Sequence, residues 1–156
     1  MIDADQLRRA IVRPALEALD LHSEPAEELL LGTIAQESAG GRYVAQVQGP
    51  ALGICQMEPA THDDIWDHYL AYHDELAERL LDAVGAAQLP SAERLAWDLR
   101  YAVAMARIHY LRVDEPLPED LEDQADYWKR HYNTDAGAGS AEAYIDSYLR
   151  RIREEQ

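Results

Sequence analysis

Leu29, Leu30, Leu31, Ile34 and Ala35 make one stretch of this chain apolar on more than one side of a helix. Such a helix must be covered from several directions, so it is predicted at the centre of the fold. Ser23 can cap its start, with Glu24 and Pro25 suited to the first turn. Gly40-Gly41 stops it and leaves Glu37 in its last turn.

The rest of the chain supplies helices to cover it. Leu7, Ile11, Val12, Leu16 and Leu19 recur at helical spacing, with Pro14 as a kink or restart. Pro59-Ala60-Thr61 opens a helix that Ile65, Trp66, Tyr69, Leu70, Leu76, Leu80, Leu81 and Val84 carry to Gly85. Pro90-Ser91 opens another, running through Leu95, Leu99, Val103 and Ile108 to Asp114. Pro116 and Pro118 set off a helix over Leu121 to His131. Ser140 then caps a last one that buries Tyr144, Ile145, Tyr148 and Leu149. No repeat or linker divides the 156 residues, so one all-α domain over 1–156 is predicted.

Fourteen basic against thirty acidic residues leave a net charge of −16, which argues against nucleic acid as a partner. Lys129 is the one lysine against thirteen arginines, a bias that a GC-rich genome explains more simply than function. No apolar run is long enough to insert in a membrane. The start, Met1-Ile2-Asp3-Ala4-Asp5, lacks the basic and apolar regions of a secretory signal. The expectation is therefore either a mature chain that has lost its signal or one made in the cytoplasm that leaves the cell by another route.

Glu37 is the first candidate for chemistry. Most glutamates at helix ends are solvated, but this one closes the most apolar helix of the chain. Desolvation there would raise its pKa toward that of a working acid, and the negative end of the helix dipole pushes the same way. The loop-like stretch from Arg42 to Glu58 follows, carrying Gly53 and Gln56. The Gln56 amide can both donate to and accept from a sugar's N-acetyl or hydroxyl groups. A rigidly held proton donor beside such a loop is what acid-catalysed cleavage of a sugar chain requires.

These segments resemble the goose-type lysozyme and soluble lytic transglycosylase superfamily. There a Glu-Ser pair ends a helix and a Gly-Leu-Met-Gln-Leu-Met-Pro-x-Thr stretch follows. Here the matching residues are Glu37-Ser38, then Gly53, Ile54, Cys55, Gln56, Met57, Glu58, Pro59 and Thr61. Tyr132-Asn133-Thr134, with Gly137 and Gly139 after it, resembles the superfamily's Ala-Tyr-Asn-x-Gly motif, although His131 replaces the alanine and the glycine comes late. The likeness is strongest over 29–61 and weaker over 98–144, and 62–97 reads as an insertion.

The resemblance implies a lysozyme-like fold with a small β-hairpin, for which Tyr43-Val44 and Gln46-Val47 would supply the strands. It implies cleavage of the β-1,4 bond between N-acetylmuramic acid and N-acetylglucosamine in peptidoglycan, without metal or cofactor. Glu37 would be the general acid and base. Ser38, Gln56, Tyr132 and Asn133 would line the substrate site, with Ser38 or Tyr132 able to orient the Glu37 carboxyl. Glu58 departs from the pattern as a candidate second carboxylate. It would activate water and give hydrolysis, or it is a solvated acid at a helix start. Without it, Glu37 alone closes a 1,6-anhydro ring, the outcome favoured here.

Other residues read more simply. His62, Asp63, Asp64, His68 and His73 match no metal-site spacing and are expected on a polar helix face. Cys55 reads as a small buried hydrophobe. Trp66, Trp97 and Trp128 each lie in an apolar stripe and are expected in the core. Delivery to the wall would be through holin pores or with a virion. The rival reading is a non-catalytic component of a phage or secretion apparatus that binds glycan or protein through the same cleft, and a chitinase-like hydrolase is a third.

Overall fold

The computed structural model describes residues 1–133 and 137–154. It is helical, and among the described residues it has no strand. Helix α1 is continuous over Ala4–Gln6, a π-type stretch Leu7–Val12 and Arg13–Ala18. Then follow α2 (Glu24–Glu37), α3 (Pro59–His68), a 3₁₀ turn (Leu70–Tyr72), α4 (Asp74–Val84), the short α5 (Arg94–Trp97) and α6 (Leu99–Leu111). Helix α7 joins Leu121–Trp128 to a π-type stretch Lys129–Asn133, and α8 joins Ala141–Tyr148 to Leu149–Arg153. No helix among the described residues is long and apolar enough to cross a membrane.

Helix α2 lies at the centre, packed against α1, α6, α7 and α8. Leu29, Leu30, Leu31 and Ile34 are fully buried, as their all-round placement predicts. Ser23 caps it by accepting from the Ala26 amide at 3.2 Å. Gly32 lets α8 cross closely, because a methyl group there would lie 2.0 Å from the Tyr144 hydroxyl. That hydroxyl donates to the Leu29 carbonyl at 3.1 Å. Thr33 bonds the same carbonyl and the Tyr110 hydroxyl, each at 2.8 Å.

A cluster of charges ties α1 to α2. Glu27 is 2% exposed and accepts from Arg8, Arg13 and His22 at 2.7–2.9 Å. Burial alone would raise its pKa, but the hydrogen bonds from these three residues win and hold it down at about 2. Pro14 does not end α1. The carbonyl of Ala10, which a proline four residues later cannot bond, receives the Arg100 guanidinium from α6 at 3.1–3.3 Å.

Four expectations are corrected. The β-hairpin does not form: Leu52 makes isolated bridges to both Ala45 and Met57, so each ladder is one residue long, and Tyr43, Val44 and Val47 stay exposed. The helix predicted from Pro59 to Gly85 breaks at Tyr69. There the His73 ring stacks at 4.0 Å and bonds the Tyr69 carbonyl at 2.6 Å, ending α3 before Asp74 starts α4. The helix predicted from Pro90 to Asp114 breaks at Asp98, which caps α6 by accepting from the Tyr101 amide at 3.0 Å. Trp97, expected in the core, is 68% exposed with the Arg94 guanidinium 4.9 Å above its ring, whereas Trp66 and Trp128 are buried.

Candidate active site

The C-terminal end of α2 opens into a cleft of about 580 Å³. The loop before α3 forms one wall, and α7 with the segment 137–139 forms the other. Three glycines permit the fit. Gly53, at φ +79°, brings the loop against α5, where a β-carbon would meet the Leu95 carbonyl at 2.3 Å. Gly137 and Gly139 bring the opposite wall against Asn133 and Trp128.

Glu37 lines this cleft from the last turn of α2. Burial drives its pKa up to about 7, and a hydrogen bond from Trp128 Nε1 to Oε1 at 2.9 Å offsets part of that rise. A carboxyl with this pKa is present in both protonation states near neutrality, so it can give up a proton and take one back.

Gln56, Tyr132, Asn133 and Glu58 all share the cleft with Glu37. Gln56 adopts φ +49° and donates from Nε2 to the Gly53 carbonyl at 2.9 Å, which leaves Oε1 as an acceptor. Asn133 is held the other way, its Oδ1 accepting from Lys129 Nζ at 2.8 Å. Tyr132 does not orient Glu37. Its hydroxyl donates to the Cys55 carbonyl at 2.7 Å, and its ring stacks on Tyr110 at 5.1 Å. Glu58 is exposed at the rim, in the residue before α3, and makes no capping bond. Thr134 of the same tyrosine-asparagine motif lies outside the described residues.

Ser38 is corrected. It is fully buried, donating to the Ile34 carbonyl at 3.1 Å and accepting from the Gly41 amide at 3.0 Å. It closes the helix and holds the double-glycine turn, and it does not line the cleft. The histidines are not one polar face. His62 is 1% exposed between Asp63, at 2.8 Å, and the Tyr101 hydroxyl, at 2.6 Å, while His68 and His73 are exposed. Among the described residues no three His, Cys, Asp or Glu side chains gather closely enough to hold a metal ion. Cys55 is buried behind the loop, and burial, reinforced by Glu37, pushes its thiol well above the ordinary range. That leaves it protonated and unreactive.

Gln36, Gln46, Trp128 and His109 are among the cleft residues not foreseen as such. Gln36 and Gln46 are tied through Oε1, to Ser147 Oγ at 2.7 Å and to the Ala51 amide at 3.2 Å, leaving each Nε2 as a donor. Trp128 was expected only as core, yet it stands four residues before Tyr132 on one helix, a spacing that puts both on one face. His109 carries no signal in the sequence. Burial and then Arg112 lower it to about 4, so its ring is neutral, accepting from Arg112 at Nδ1 over 2.7 Å. Comparison with protein-family models, with curated proteins and with solved structures finds no match for this chain.

Proposed function

We propose that this chain is a lysozyme-like glycosidase that cleaves the β-1,4 bond between N-acetylmuramic acid and N-acetylglucosamine in peptidoglycan. The observation that carries the reading is Glu37: a carboxyl buried in a cleft wall, raised to about 7 and held by one hydrogen bond. A carboxyl kept protonated by desolvation is the general acid such chemistry uses. The cleft amides fit an acetamido sugar, because Gln36 and Gln46 present donors and Gln56 presents an acceptor.

Neutral Glu37 gives its proton to the glycosidic oxygen as the bond to the anomeric carbon breaks through an oxocarbenium-like state. The ionised carboxylate then takes the proton of the muramic acid 6-hydroxyl as that oxygen bonds the anomeric carbon, closing a 1,6-anhydro ring. This outcome is favoured over hydrolysis because Glu58, the other carboxylate lining the described cleft, stands exposed at its rim. A water-activating base is expected across the sugar from the acid.

Glu37→Gln keeps the shape and removes the proton. It is expected to abolish wall cleavage while leaving the helical signature intact, and a variant that keeps most of its activity would end the proposal. Mass spectrometry of the digest separates anhydro ends from reducing ends, and a parallel chitin digest separates the substrates. A second reading, a glycan- or protein-binding component of a virion or secretion apparatus, has the charge of −16 in its favour, since long-range attraction to an anionic wall would be absent. Glycan binding without turnover by the wild-type chain would select it.

A further inference from the structure

We propose that Trp128 is a positioning residue for the chemistry of Glu37, deciding which carboxyl oxygen carries the transferable proton. The inference rests on Glu37 being the acid. An indole N–H only donates, so the oxygen facing it, Oε1, must accept. In a neutral carboxyl the better acceptor is the carbonyl-type oxygen. The proton therefore resides on Oε2, and a half-turn of the carboxyl restores the same arrangement with the oxygens exchanged.

Trp128 is well placed to impose this. It is 0% exposed, its ring lies against Tyr144 at 5.3 Å, and Gly139 packs on its outer edge. Among the described residues the Glu37 carboxyl makes its hydrogen bond to this indole and to no other group. The bond strengthens as charge develops on Glu37, since a hydrogen bond to an ionised acceptor is roughly twice as strong as one to a neutral acceptor. One contact thus aims the acid before transfer and steadies the carboxylate after it.

Among the described residues, the Lys129 ammonium on the same cleft wall is engaged by Asn133 Oδ1 and the Gly137 carbonyl. Cys55, Tyr110 and Tyr132 feel the Glu37 charge, and burial holds all three uncharged at neutral pH. His109 on the cleft wall is neutral as well, and Glu58 stands out at the exposed rim.

The test is the indole N–H resonance of Trp128 followed by ¹⁵N–¹H correlation spectra between pH 5 and 9, with Glu37→Gln as control. Trp128→Phe identifies the resonance; if that variant does not fold, Trp66→Phe and Trp97→Phe identify it by elimination. The expected result is a shift with a midpoint near 7 in the wild type and none in the control. A flat resonance in the wild type, or equal movement in both proteins, overturns the proposal.

Cleavage kinetics of folded Trp128→Phe give a second readout. The value of kcat is expected to fall about 10-fold or more with KM nearly unchanged. The alkaline limb of the pH profile should move up by about one pH unit, because the carboxylate has lost its donor. A fall in kcat with that limb unmoved would make the indole a packing residue and overturn the proposal. Failure of the wild type to cleave any glycan would instead remove the proposed function, and the indole titration would still decide whether Trp128 governs the Glu37 proton.

Discussion

Gly139 lies so close to Trp128 that a β-carbon there would stand 2.5 Å from the indole Cη2. The indole is fully buried, so Gly139→Ala must displace either the ring or the cleft wall. The proposed wall cleavage is expected to fall about 10- to 100-fold, as rates do when a reacting centre is slightly misplaced. Unfolding free energy should drop by only about 1–2 kcal/mol. Activity assays beside urea melts measure the two effects separately.

Two buried carboxyls set opposite slopes on stability against pH. Glu37 is raised from 4.5 to about 7, so between these values the folded chain holds a proton that the unfolded chain has lost. Its contribution is full below about 4.5 and disappears as pH rises through 7, a loss of about 3 kcal/mol. Glu27, lowered to about 2, contributes above 4.5 and loses that contribution as pH falls toward 2. Stability from these two groups therefore peaks near pH 4–5. Glu37→Gln should match the wild type near pH 4 and exceed it at pH 8, whereas Glu27→Gln should be weaker at neutral pH by about 3 kcal/mol. Urea melts across the range check both.

Glu58→Gln is expected to keep most of the proposed wall-cleaving activity and to give the same anhydro products as the wild type under that proposal. A large loss, or a change in the product ends seen by mass spectrometry, would make Glu58 part of the chemistry.

Gly32→Ala should destabilise the fold by about 3 kcal/mol, since the added methyl would meet the Tyr144 hydroxyl at 2.0 Å in the middle of the core. Chemical denaturation measures the loss.

The sequence carried more of the centre than of the edges. The burial of α2 and the caps at Ser23 and Ser140 were legible because composition and local chemistry determine them. The gathering of Glu37, Gln56, Tyr132 and Asn133 was expected from the resemblance of their motifs to the lysozyme superfamily, and all four line the cleft. What was hidden depends on short-range side-chain bonds and stacks, three or four residues apart, that the apolar pattern does not encode. Ser38 looked like a cleft residue until its hydroxyl was seen bonding the carbonyl of Ile34 and the amide of Gly41. The breaks at Tyr69 and Asp98 come from a histidine stack and an aspartate cap, which apolar periodicity does not register. Trp97 sits in an apolar stripe by spacing, but α5 is too short to bury it.

Lys129 carries the chain's one side-chain amine, and that amine fastens a cleft wall, donating to Asn133 Oδ1 at 2.8 Å and to the Gly137 carbonyl at 3.0 Å. Acylating reagents therefore meet one side-chain amine in this sequence, and it is this clasp. Labelling at this amine removes its charge and leaves one N–H where two bonds are made, which loosens the wall. The rate of that single modification then becomes a chemical footprint of how firmly this wall is tied.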